Sequence, residues 1–150
     1  MEFGWINFFG AIIVLLIIIP NIIYALRNKN ETEAPDVPQY LTVCEQIGRY
    51  GCIILMWLPL MIWEFGFKSN EEFVIYLLLN GFLIIIYYLN WVGYFKQKTL
   101  KKGMVLAIIP TTIFLVSALL LRHWLLAFFA LLFGFAHIRI TYLAHQNHQV

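Results

Sequence analysis

Polar and ionisable side chains are rare in this sequence, and several of them lie inside long apolar segments. An imidazole can exchange a proton near neutral pH, and a guanidinium can hold phosphate oxygens with a planar fork of N–H donors. Amide and phenol groups can orient a ligand through hydrogen bonds. Ionisable residues within apolar segments are functional hypotheses by default. The residues that we expect to share one ligand-binding pocket are Asn21, Arg49, Tyr87, Asn90, Trp91 and His137.

Most of these residues also have a purely structural interpretation. Arg49 follows Glu45 by four positions, so the two side chains would form an ion pair near the end of a helix. His137 would be a neutral side chain hydrogen-bonded to a neighbouring helix. Asn21 and Asn90 would join helices through amide hydrogen bonds. The sequence alone leaves both interpretations open.

The segments that carry these residues have the composition of membrane-spanning helices. Of the 150 residues, 62% are hydrophobic and 12% are charged, whereas a soluble domain has about 25% charged residues. The mean hydropathy is +0.80. Spans of about 20 apolar residues are expected at 5–26, 47–67, 73–95, 104–121 and 124–143. The sequence therefore predicts an all-α integral membrane protein, a single transmembrane domain over 1–150 with five helices in an up-and-down bundle.

The distribution of basic residues predicts the orientation of this bundle. Two basic residues, Lys68 and Arg122, fall on one side of the predicted spans. The other side carries Arg27, Lys29, Arg49, Lys96, Lys98, Lys101, Lys102 and Arg139. Because cytoplasmic connections are enriched in Lys and Arg, we expect an extracellular N-terminus, a cytoplasmic C-terminus and a cytoplasmic loop over 27–46 in a plasma-membrane protein.

Small and polar residues recur on one face of several predicted helices and identify the faces that turn inward. The stripe of the first helix is Asn7, Gly10, Val14, Ile17, Asn21 and Tyr24. The third helix has Tyr76, Asn80, Tyr87, Trp91 and Tyr94. The fourth has Gly103, Ala107, Pro110, Ser117 and Ala118. The fifth has His123, Ala127, Ala130, Gly134, His137, Thr141, Ala144 and His145.

Several kinds of chemistry are disfavoured. A net charge of +2 does not suggest nucleic-acid binding. Cys44 and Cys52 are both expected on the cytoplasmic side, where thiols stay reduced, which argues against disulfide-generating chemistry. No H-E-x-x-H motif is present, which argues against a metalloprotease. No carboxylate is expected in the middle of a span, which argues against coupled ion transport. No catalytic residue and no metal site are predicted.

Histidine spacing gives a further signal. His123 and His137 are 14 positions apart on one predicted helix face, and this spacing resembles that of cytochrome b helices, which hold two haems. The resemblance covers one helix and implies that a homodimer would supply the second pair. His145 and His148 are expected in a solvated tail, where they could meet a metal ion.

A second group of residues is expected at the outer interface. Trp5, Trp63 and Trp124 would anchor the helices there. Glu64 and Arg122 would form an ion pair at the rim.

The predicted function is a non-enzymatic binding or accessory module whose polar-aromatic pocket, in the cytoplasmic half of the membrane, takes a lipid or a small amphipathic ligand. The alternatives are a small transporter or channel that works as a homodimer, a lipid-modifying enzyme, and a haem-binding dimer. The cofactor is left unspecified. In each case we expect His137 to face a cavity near Tyr87 and Asn90, with no carboxylate at its depth.

Overall fold

The computed structural model describes residues 6–28, 37–58, 60 and 66–147. Within these residues the chain forms five helices and no strand: α1 (Phe8–Arg27), α2 (Gln39–Trp57), α3 (Asn70–Lys96), α4 (Leu100–Leu120) and α5 (Trp124–Asn147). Four of them, α1, α3, α4 and α5, are long and apolar enough to cross a membrane. The all-helical prediction is confirmed for the described part of the chain.

The five helices pack as a ring. α2 lies along α5, α5 along α4, and α4 along α3, while α1 closes the ring by contacting α2 and α3. Side-chain contacts set the directions: Glu45 of α2 meets His137 of α5, and Asn80 of α3 meets Ser117 of α4. With the contacts of Asn90 with Lys102 and of Gly134 with Thr111, they show that α3 and α4 are antiparallel and that α5 runs back along α4. One end of the ring holds the C-terminus of α1 and the link between α3 and α4, and we call it the basic end.

Short polar side chains fix where several helices begin. The Ser69 hydroxyl accepts a hydrogen bond from the backbone N–H of Glu72, and Thr99 caps α4 in the same way. At the start of α5, Nδ1 of His123 accepts from the N–H of Leu126. Arg122, with φ of 54°, adopts the left-handed conformation that reverses the chain between α4 and α5. This turn separates the predicted spans 104–121 and 124–143.

Asn7 joins the start of α1 to the end of α2. Its side-chain oxygen accepts from the N–H of Gly10 at 3.0 Å, which caps α1. Its amide nitrogen donates to the carbonyl of Met56 at 3.2 Å, and its backbone N–H donates to the carbonyl of Trp57 at 2.8 Å. These carbonyls lie in the last turn of α2, where no helical donor remains. One fully buried residue therefore satisfies two helix ends.

The bounds of α2 differ from the predicted span. The helix begins at Gln39, inside the expected loop 27–46, and ends at Trp57 rather than near 67. Its first half is too polar to register as an apolar segment. It is nevertheless helical because one side packs against the bundle at intervals of three and four residues. The buried residues of α2 are Leu41, Glu45, Gly48, Cys52, Leu55 and Met56.

The predicted inward faces are confirmed on α3 and α4, whereas only His123, Ala130 and Gly134 of the eight residues predicted for the fifth helix are buried. The buried residues of α3 are the five expected ones, and those predicted for α4 are all buried. On α5, Gly134 packs so closely on Thr111 of α4 that a Cβ at this position would overlap the Thr111 methyl group. On α1 the stripe is buried as far as Ile17, whereas Asn21 is exposed.

Candidate functional site

A buried carboxylate lies between two basic side chains where α2 meets α5. Nδ1 of His137 lies 3.2 Å from Oε1 of Glu45, and Arg49, one turn further along α2, forms an ion pair with the same oxygen. The Glu45 side chain is only 4% exposed, whereas Arg49 is 43% exposed and His137 is 26% exposed. We call these three residues the Glu45 cluster. The predicted ion pair between Arg49 and Glu45 is confirmed.

A close approach of α2 and α5 positions the Glu45 cluster. Gly48, three residues after Glu45, faces the backbone of Phe133, and a Cβ there would lie 2.6 Å from its nitrogen and 2.7 Å from its Cα. The imidazole of His137 stacks on the Phe133 ring, with centroids 4.8 Å apart. Because glycine has no side chain, α2 can lie near enough to α5 for the carboxylate to reach the imidazole.

Asn21 and Tyr87 form a second polar group, between α1 and α3. The Asn21 amide donates to the Tyr87 hydroxyl at 2.8 Å and to the carbonyl of Ile17 at 2.8 Å. Tyr87 in turn donates to Ile17 at 3.4 Å. The predicted site residues thus fall into two separate polar groups: Asn21 bonds to Tyr87, whereas Arg49 and His137 both pair with Glu45.

In each of the two groups one side chain is buried and another reaches the open edge of the site, at the outer surface of the bundle. Glu45 and Tyr87 are buried, whereas Asn21 is exposed and Arg49 is partly exposed on the outside of the bundle. The hydrogen bonds between α1 and α2, made by Asn7, lie at the end of the bundle opposite the basic end. The exposed cation and amide can therefore be reached from outside the described helices.

Trp91 belongs to an aromatic cluster next to this site. Its ring lies 6.2 Å from Tyr87, 5.4 Å from Tyr24 and 5.7 Å from Tyr94, measured between centroids. Its indole Nε1 is buried and has no hydrogen-bond partner among the described residues. Trp91 thus joins the polar group of Tyr87 to the aromatic side chains of Tyr24 and Tyr94.

Asn90 lies elsewhere, which corrects its assignment to the predicted pocket. Its amide donates to the carbonyl of Lys102 on α4 at 2.9 Å. In return, Nζ of Lys102 donates to the carbonyl of Gly93 on α3 at 3.0 Å. The two bonds fasten the short link between α3 and α4. On α3, Asn90 is three residues past Tyr87, and its side chain is turned toward α4 rather than α1.

The surroundings of His137 also differ from the prediction. It contacts α2 through Glu45 instead of α3 through Asn90, and a carboxylate therefore does lie at its depth. The sequence predicts Arg49 but not His137 as a partner of Glu45, because Glu45 precedes the predicted apolar span 47–67. A signal was present, since Glu45 repeats with Leu41, Gly48 and Cys52 at helical spacing.

The other histidines lie apart from the Glu45 cluster. His123 has no exposed surface, and its burial holds the pKa of the imidazole below its ordinary value. His145 is not in a solvated tail but in α5, where it packs on Gly103 and its Nε2 lies 3.5 Å from the Tyr94 hydroxyl. His148 lies outside the described residues.

Two further predictions concern a metal site and an ion pair at the rim of the bundle. The described part of the chain has no cluster of three or more metal-ligating side chains. At the end opposite the basic end, Arg122 donates to both carboxylate oxygens of Glu72, at 2.7 and 2.9 Å. The expected partner, Glu64, lies outside the described residues, as do Trp5 and Trp63. The rim ion pair thus joins α3 to the turn before α5.

Comparisons with known proteins add no family. No protein-family model matches the sequence, and no curated protein or solved structure is significantly similar to it.

Proposed function

We propose that this chain is a small multi-pass membrane protein that binds an amphipathic molecule, a lipid or a similar ligand, at the open edge of the Glu45 cluster. The outer faces of the helices support the proposal that lipid surrounds the bundle. They expose large apolar side chains throughout, among them Leu78, Leu89, Phe128, Leu131 and Phe135. A soluble protein rarely exposes contiguous apolar surface on this scale.

The proposed topology keeps five spans. α2 is less apolar than the other helices, but it runs antiparallel to α5 and packs against it, which supports its insertion as the remaining span. The basic end gathers Arg27, Lys96, Lys98, Lys101 and Lys102, and we assign it to the cytoplasmic face of the plasma membrane. The N-terminus is then extracellular.

The observation that carries the binding proposal is the placement of a buried carboxylate beside exposed polar groups. Burying an ionised carboxylate is costly unless it is paired, and an apolar side chain would fill the same space without that cost. Glu45 is paired on both sides, yet Arg49 keeps almost half of its side chain open. A guanidinium in this position can take a phosphate or carboxylate head group while the apolar helix faces contact the tail of the ligand.

A second candidate function rests on the pair of Glu45 and His137. Coupled transporters use ionisable side chains buried near the middle of their helices. His137 lies near the middle of α5, and Glu45 lies beside it. The chain would then carry one half of a transport path, and a homodimer would complete it.

The decisive experiment for the binding proposal is to identify and displace a ligand. Purified protein in detergent would be analysed by native mass spectrometry for a retained amphiphile. We expect Arg49→Gln and His137→Phe to weaken retention at least tenfold, which corresponds to about 1.4 kcal/mol. Arg139→Gln, which removes an exposed cation from α5, is the matched control. Equal retention by all variants would refute the proposal.

Transport gives a different result in a different assay. Protein would be reconstituted in vesicles that contain a pH-sensitive dye, and a pH gradient would be imposed. Proton flux that disappears in Glu45→Gln, without a retained ligand, would favour the transporter. Ligand retention without flux would favour the binding module.

A further inference from the structure

A second apolar site lies on the outer surface, in a groove where α1 meets α3. The groove has a volume of about 370 Å³ and is lined by Leu16, Ile84, Ile85, Tyr88, Leu89 and Val92. It is separate from the Glu45 cluster, which lies between α2 and α5. The outer wall is well exposed, with Ile85 at 60%, Leu89 at 67% and Val92 at 56%. The groove therefore faces the same surroundings as the outside of the bundle.

The walls of the groove offer nothing to a polar occupant. Its one polar side chain, Tyr88, already donates its hydroxyl hydrogen to the carbonyl of Leu16 at 2.9 Å. The remaining lining residues are aliphatic. A water molecule needs two to four polar partners to be retained at a buried site, and these walls do not supply them. The occupant that fits the groove is a hydrocarbon chain.

A cation marks the end of the groove that leads to the basic end. The guanidinium of Arg27 stacks over the Phe95 ring at 5.2 Å from its centroid. Phe95 is three residues past Val92 on α3, which places it about 4.5 Å further along the helix axis. Lys96 follows in the last turn of α3. α1 has no carboxylate, and the carboxylates of α3, Glu71 and Glu72, lie at the opposite end.

From this arrangement we infer that the groove binds one acyl chain of an anionic phospholipid, with the phosphate held by Arg27. The site rests on the membrane location proposed above, but not on the ligand of the Glu45 cluster. Charge complementarity supports a lipid with net negative charge, because the acyl groove ends at cations and neither α1 nor α3 has a carboxylate at that end. Stacking on Phe95 limits the motion of the guanidinium at the level where a head group would lie.

The test measures lipid preference in nanodiscs that contain equal amounts of phosphatidylglycerol and phosphatidylcholine. The protein would be released from the nanodiscs, and native mass spectrometry would count the lipids that stay bound to it. We expect wild type to retain one phosphatidylglycerol in preference to phosphatidylcholine. Arg27→Gln should reduce this preference about fivefold, the effect expected for one cation near an anionic surface. Arg139→Gln, at an exposed cation of α5, should leave it unchanged.

Filling the groove tests the acyl chain separately. Val92→Trp and Ile85→Trp each place a large ring in the groove at an exposed position that the fold tolerates, and each should abolish the retained lipid. Leu131→Trp on α5 is the control, because it adds the same ring to a distant exposed site. Retention that survives both groove variants, or that falls equally in Arg27→Gln and Arg139→Gln, would overturn the inference. Loss of ligand from the Glu45 cluster in His137→Phe would not alter these results.

Discussion

The hydroxyl of Tyr88 on α3 donates a hydrogen bond, 2.9 Å long, to the carbonyl oxygen of Leu16 on α1. In a regular helix this carbonyl would accept from the N–H four residues later, but that residue is Pro20, which has none. Lipid offers no donor in its place. The bond from Tyr88 therefore meets a need that the proline creates, and it attaches α1 to α3 at that level.

Removing the Tyr88 hydroxyl should destabilise the protein. We expect Tyr88→Phe to cost about 1 kcal/mol of unfolding free energy, in the range found for hydrogen bonds between membrane helices. The measurement is unfolding in mixed detergent. In a Pro20→Ala background the helix regains its own donor, so the same substitution should then cost clearly less. An equal cost in both backgrounds would contradict the link to Pro20.

Gly48 should be far more sensitive than Gly81 to the addition of one methyl group. A Cβ at Gly48 would overlap the backbone of Phe133, which cannot move aside, whereas a Cβ at Gly81 meets nothing within 4 Å. Gly48→Ala should cost about 1–3 kcal/mol through overpacking. Gly81→Ala should be neutral or stabilise α3 by up to about 1 kcal/mol. Thermal unfolding in detergent compares the two, and similar melting temperatures would contradict the packing of α2 on α5.

Replacing Glu45 should destabilise the protein less than replacing both of its basic partners. Glu45→Gln leaves Arg49 and His137, which both reach the surface, so we expect a cost of about 1 kcal/mol. The double variant Arg49→Gln with His137→Phe leaves a buried carboxylate unpaired and should cost about 3–5 kcal/mol at neutral pH. Denaturation at pH 7.5 tests the order. A larger cost for Glu45→Gln would show that Glu45 is not buried as described.

His123 should make stability fall at mildly acidic pH. Its burial disfavours the imidazolium, so the folded-state pKa lies below the unfolded value of about 6.5. The unfolded chain then binds more protons, and the stabilisation that is complete above about pH 6.5 is lost as the pH falls below that value. Melting temperatures between pH 7.5 and 5.5 measure the effect.

His123→Asn is the control for this titration, because asparagine also caps a helix but does not titrate. Its pH dependence should be shallower than that of wild type. Every other titratable group is common to both proteins and cancels in the comparison. Parallel curves would rule out His123 as the source of the effect.

The proposed orientation predicts which connections an impermeant reagent can reach. Single cysteines at Lys68 and Gln97, both exposed, would be introduced after Cys44 and Cys52 are replaced by serine. In intact cells the maleimide should label the cysteine at 68 and miss the one at 97 until the membrane is opened. The reverse pattern would invert the assignment of the basic end.

The sequence predicted the helices and their inward faces well where each helix is apolar throughout. On α3 the residues expected to face inward, from Tyr76 to Tyr94, are the buried ones. Helical periodicity is a local property, so spacing alone reveals a face. The prediction failed at the start of α2, because a helix that is polar on one side has no continuous apolar run. The role of Tyr88 was not predicted either, because its partner is a backbone carbonyl.

By itself the sequence determined the all-helical character and the charge difference between the two ends, and four of its five predicted spans correspond to helices able to cross a membrane. Only the tertiary structure decided which helices meet. α2 packs on α5, far along the chain, so His137 meets Glu45 and Asn90 meets Lys102 instead of sharing one pocket. The physical reason is that periodicity gives the direction of a side chain from its own helix axis. Its partner depends on the order of helices in the ring, which is fixed by close contacts such as that of Gly48 with Phe133.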